Sequence, residues 1–223
     1  WQAKTGLAKV SIAQTHKTDN GARVFEFPAE LRFVVGDEVI DHTITVSEQS
    51  EDFYVALPAE PDVVRFDPDY TLLAKVAVQK PDAMLKAQLA RSDDMIGRLL
   101  AAKALADRKT KASAELLHAA LTSDTFFGVR LAAAESLAAN GSDESFELLA
   151  SAWRGQTDAR VRKAVVEQVA KRYHPTARRV VDEVLAEEHN PEIVAVATRA
   201  LARFGDDAAE QALREQLRAN SFR

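Results

Sequence analysis

Residues 128–141 read GVRLAAAESLAANG, and how this stretch is read decides the fold. It holds three consecutive alanines beside an arginine and nothing that resembles a nucleophile, a general base or a metal ligand. Leu131 and Leu137 supply apolar mass, while Ala133, Ala134 and Ala138 keep the surface small enough for neighbouring helices to approach closely. The same pattern recurs at a fixed interval. Arg98, Arg130, Arg162 and then Val194 stand 32 residues apart, and so do Leu105, Leu137, Val169 and Leu201, each followed by alanine. A second helix keeps step in two further columns. Leu85, Leu117, Leu149, Val181 and Leu213 form one, and Leu89, Leu121, Trp153, Leu185 and Leu217 form the other.

A helix-pair repeat of this length predicts an α-solenoid of HEAT type, in which each unit buries its apolar face only against its neighbours. The TPR signature positions for Trp, Gly, Tyr and Pro are absent. The register predicts one unpaired helix followed by four helical pairs over residues 80–223. Gly141 and Gly205 are expected to stop first helices, with Pro175 doing so in the third pair. Ser142, and Asp207 with Glu210, mark starts of second helices. The last apolar column ends at Leu217, which reads as a natural C-terminus.

Upstream, over residues 1–79, the period shortens to two. Six strand-like stretches are LAKVSIAQTH, RVFEFPAELRFVV, EVIDHTITVSE, DFYVALP, DVVRFD and LLAKVAV, separated by turns at Asn20-Gly21, Gly36-Asp37, Pro58, Pro61 and Asp67-Pro68. Phe25, Phe27, Leu31 and Phe33 alternate with Glu26, Glu30 and Arg32, the pattern of a half-buried strand, and Pro28 marks an edge or bulge. The expected fold class is therefore α+β in two domains, a small antiparallel β-sandwich followed by an all-α HEAT-like solenoid.

Composition excludes several chemistries. The 223 residues include no cysteine, so disulfides, thiolate zinc sites and cysteine nucleophiles are absent. The formal charge is −5, made of 8 Lys/Arg against 13 Asp/Glu in residues 1–80 and 21 of each thereafter. Neither part carries the bulk positive charge of a general nucleic-acid binder. No apolar run approaches the ~20 residues that span a bilayer, and a cytoplasmic setting is expected. The chain opens at Trp1 and enters a strand pattern at once, as expected of a piece cut from a longer protein.

The order of sandwich, then VVRFDPDYTLLAKV, then repeats opening with LARSDDMIGRLLAAKALA resembles the C-terminal region of M1-family zinc aminopeptidases. The motifs that carry the resemblance are Arg-Phe-Asp-Pro at 65–68 and Asp-Asp-x-x-Gly-Arg at 93–98. That family's His-Glu-x-x-His zinc site and its Gly-x-Met-Glu-Asn amine-binding segment do not occur here. His16, His42, His118, His174 and His189 are never four apart, and none precedes Glu. The resemblance thus implies a non-catalytic portion that supports or caps an upstream catalytic domain. No catalytic, cofactor-binding or metal-ligating residue lies in this chain, and zinc is expected only in that domain. A scaffold within a catalytically inactive M1-like protein, or a free-standing HEAT interaction module, is the alternative.

Two features invite a site. The column Arg98, Arg130 and Arg162 is read as a structural ladder, with acids four residues earlier such as Asp94 and Asp158 as partners. A basic cluster containing Arg160, Lys163, Lys171, Arg172, Arg178 and Arg179 is a possible interaction patch. Nucleic acid is disfavoured there because stacking aromatics are scarce. Glu187, Glu188 and His189 point apart around a helix. Asp62, Asp67 and Asp69 read as turn residues, Phe126-Phe127 as an interhelical plug, and His174-Pro175 as a helix terminator.

Overall fold

The computed structural model describes residues 1–17, 23–205 and 207–218, without the side chains of 208 and 215–218. The Asn20-Gly21 turn and the Leu217 side chain lie outside the described residues. Two compact units divide the chain, one from Trp1 to Gly97 and one from Arg98 onward.

In the first unit, β1 (Leu7–Ala13) pairs antiparallel with β4 (Ser50–Ala56). β2 (Phe27–Val35) lies between β3 (Glu38–Val46) and β5 (Val63–Phe66) in a second antiparallel sheet. Alternation places Leu31, Phe33, Ile44 and Val46 from one sheet in a shared core with Ala8 and Val55 from the other. Pro28 pairs with Thr45 of β3, while β5 reaches only from Val34 to Leu31. The proline therefore sits where β2 has a neighbour on one side only, which spares a ladder bond.

Two expectations about this unit are corrected. Phe25 precedes β2 and is 60% exposed, packing beside the His16 ring rather than in the core. LLAKVAV is not a strand: Leu72 packs against the core, but Leu73, Val76 and Val78 are exposed and, among the described residues, no strand runs alongside. A β-rich sequence without a partner edge has nowhere to place its backbone bonds. α1 (Asp82–Ala90) belongs to this unit and packs on β5.

The helical array continues through α2 (Met95–Leu105), α3 (Lys111–Ser123), α4 (Phe127–Asn140), α5 (Asp143–Ser151), α6 (Ala159–Ala170), α7 (Pro175–Glu187), α8 (Pro191–Leu201) and α9 (Asp207–Arg218). First helices α4, α6 and α8 stack in one layer, and α3, α5 and α7 in the other. Every member of the Leu105, Leu137, Val169, Leu201 column is at most 1% exposed. Ala133 and Ala134 have no exposure at all, so the bare face of α4 is where other helices press closest. Gly141 ends α4 at φ 76°, and the Ser142 hydroxyl accepts the Ser145 N–H to start α5. Gly205 is also left-handed, at φ 61°, but lies beyond the end of α8. Pro175 and His174 open α7 instead of ending α6. Proline occupies the first turn, where its missing N–H costs nothing, and His174 Nδ1 accepts the Thr176 N–H at 3.2 Å.

Candidate functional site

Strand β5 alternates like the others, so Val64 and Phe66 pack on the sandwich core while Arg65 faces the opposite side. There Arg65 is 2% exposed, ion-paired to Asp94 and donating to the Pro68 carbonyl at 3.3 Å. Asp94 stands just before α2 and also accepts the Gly97 N–H at 2.7 Å, an N-cap bond. A Cβ on Gly97 would overlap the Asp94 carboxylate and the Arg65 guanidinium, which explains the glycine. The Arg-Phe-Asp-Pro and Asp-Asp-x-x-Gly-Arg motifs are thus joined by one ion pair, buried at its arginine end. Gln88, 1% exposed, donates to the Gly97 carbonyl and accepts from Lys80, which also donates to the Val64 carbonyl. Burial, followed by the Arg65 charge, pulls the Lys80 ammonium down to about 8 despite the attraction of Asp94.

Asp67 holds the turn that follows β5 with φ 47°, its carboxylate accepting from the Thr71 N–H and hydroxyl and from the Leu72 N–H. Burial raises its pKa, but those hydrogen bonds and Arg65 outweigh it, and the net direction is down. Asp62 instead accepts the Gly36 N–H, and Asp69 lies 3.7 Å from Arg32. The three aspartates do not converge.

The arginine column reaches carboxylates well beyond its own helix turns. Arg98 Nε donates to Asp124 at 2.8 Å, with both side chains 7% exposed, and Arg162 Nε donates to Glu188 at 2.8 Å. Both acids lie 26 residues downstream, at the C-caps of α3 and α7. Each also bonds backbone N–H groups in the turn that leads to the next first helix. Asp124 accepts the Phe126 N–H, and Glu188 accepts the His189 and Asn190 N–H groups. One carboxylate therefore ties a unit to its successor. At the same offset from Arg130 stands Gln156, with Arg130 Nη1 3.5 Å from its amide oxygen. Buried Gln156 donates to the Leu121 carbonyl at 3.1 Å, back in the preceding pair. These partners had no local sequence signal, but a 32-residue column through 124, 156 and 188 would have shown them.

The basic cluster is largely neutralised by acids. Arg160 forms a bidentate pair with Asp158 and lies over the Phe127 ring at 3.4 Å. Lys163 pairs with Glu192 at 2.7 Å, Arg178 with Asp182 at 2.9 Å and Arg179 with Glu183 at 2.9 Å. Arg172 pairs with Asp143 and covers Phe146. Lys171 bonds the neutral Gln168 at 2.9 Å. Lys171 and Arg172 border a shallow cleft of about 270 Å³ floored by Leu137, Phe146 and Leu149.

Several histidine and acid side chains are engaged in bonds within the chain. His174 Nδ1 caps α7, His16 Nε2 bonds the Arg23 carbonyl, and Glu187 and Glu188 are held by Arg154 and Arg162. Among the described residues no three His, Asp or Glu side chains form a metal-binding group. No described helix is long and apolar enough to cross a membrane.

Residues 83–170 match the family model for HEAT repeats. No curated protein matches the sequence significantly. Among solved structures, Legionella pneumophila aminopeptidase A in complex with aspartic acid is similar at TM-score 0.56 and 12% identity, over 96% of this chain. The chain spans 32% of the length of that aminopeptidase. A small antiparallel β-sandwich followed by a HEAT-type helical solenoid is thus the fold that this chain shares with about a third of that enzyme.

Proposed function

We propose that this chain is the non-catalytic C-terminal portion of an M1-like metallo-aminopeptidase, supporting or capping a catalytic domain and offering an interaction surface. The observation that carries this reading is the Arg65–Asp94 pair. It bonds together the two motifs on which the resemblance rests, inside a fold similar to that third of the Legionella aminopeptidase. The residues of this chain serve as caps, stitches and stacking surfaces, and its chemistry is that of a support. Zinc chemistry belongs to the upstream domain in this reading.

The experiment uses the longest natural product of the gene, assayed for zinc by elemental analysis and for release of N-terminal residues from peptides. Bound zinc and turnover are expected, with no turnover from residues 1–223 alone. Peptidase activity in residues 1–223 would refute the support role. A longer product with the M1-like domain but neither zinc nor activity would favour the inactive scaffold. A gene product with no such domain would favour a free-standing interaction module.

A further inference from the structure

The repeat makes one departure conspicuous. Arg98 and Arg162 each meet a carboxylate 26 residues downstream, whereas Arg130 meets the neutral Gln156 at the limit of hydrogen-bonding distance. Arg130 Nε is buried without a hydrogen-bond partner, although the residue as a whole is only partly buried. The Gln156 amide cannot turn to help, because its nitrogen is committed to the Leu121 carbonyl. Close by, Asp158 feels the Arg130 charge, but it is already engaged by Arg160 and by the Arg160 N–H as the cap of α6. Two guanidinium groups thus share one carboxylate. In addition, α4, which carries Arg130 in its first turns, has no side-chain cap.

We propose that Arg130, with Arg160 beside it, forms a binding site for a carboxylate borne by a ligand or partner protein, the group that the neighbouring units supply internally. A planar guanidinium suits a carboxylate bidentately, and its pairing would complete the ladder at the central unit. Arg160, stacked on Phe127, gives the ligand a second cation on the rim. This inference stands independently of the aminopeptidase reading.

Acetate is the probe, added to residues 1–223 against sodium chloride at matched ionic strength, with inorganic phosphate as a parallel arm. Acetate at ten times its Kd should raise the melting midpoint by about 3 °C, and the Arg130 Nε–H resonance should shift saturably. Gln156→Glu supplies the missing charge from within, so its acetate response should vanish whatever its own midpoint. Arg130→Gln should lose the response too. Should either variant fail to fold, the Arg130 resonance of the unmodified protein still decides. No saturable shift there, or an equal midpoint response in Gln156→Glu, would overturn the proposal. Binding of phosphate in clear preference to acetate would overturn the choice of carboxylate.

Discussion

Lys80 lies beneath β5, where burial and the nearby Arg65 charge outweigh the attraction of Asp94. Its pH dependence has a definite sign. The folded Lys80 pKa is about 8 against an ordinary 10.5, so between these values the unfolded chain binds more protons and stability rises with pH. Relative to Lys80→Met, the unmodified protein should gain about 2 kcal/mol between pH 7.5 and 9.5, read from urea unfolding of both proteins at each pH. A flat difference would refute the burial of this charge. The ladder makes a second demand. Asp124→Asn keeps an acceptor for the Phe126 N–H but removes the carboxylate charge that Arg98 meets at 2.8 Å, and should cost ~3–5 kcal/mol. Adding Arg98→Met should recover much of that loss, and a double-mutant cycle measures the coupling. Sequence spacing showed that these arginines formed a column, but the i+4 rule did not name Asp124 and Glu188. These two acids are 26 residues away, beyond a turn and a whole helix, where local periodicity carries no information.

Helix positions were legible because two independent signals agree, a 3.6-residue apolar period within each helix and a 32-residue period between them. The elements misread were those lacking a second signal. Residues 72–78 have the composition of a strand, yet strand formation also requires a neighbouring edge. Pro175 was compatible with both a stop and a start, and the His174 cap decides for a start. Trp153 holds its column position, 4% exposed, although α5 has already ended at Ser151, and its indole N–H reaches Glu183 at 3.2 Å. At the element scale the sharpest test is α4 itself. Ala132, Ala133 and Ala134 are all buried, and α4 packs against α3, α5 and α6. Ala134→Leu should overpack this face and cost ~1–3 kcal/mol, seen as a lower denaturation midpoint. Glu135→Leu on the exposed side should not produce that loss. Equal midpoints for Ala134→Leu and the unmodified protein would mean that close stacking is not what the alanines provide.

Over the whole chain, the formal charge of −5 and the 21 matched charges of each sign after residue 80 anticipated a surface of compensated ions. They could not show how completely the basic cluster of the third unit is compensated, since that depends on acids brought in from other turns. Lys163 is answered by Glu192, Arg172 by Asp143, and Arg154 by both Glu183 and Glu187. For such a cluster to grip DNA, each phosphate contact except one at Lys171 would have to displace a carboxylate already in place. The counterion release that drives non-specific binding would then be offset by exposing that acid to the same polyanion. Duplex DNA titrated into residues 1–223 should therefore give no saturable binding even at about 50 mM salt, where such binding is strongest. Micromolar affinity that weakens steeply with added salt would show that the acids yield to phosphate. Loss of that affinity in a variant combining Lys163→Ala and Lys171→Ala would then place the contact on this cluster.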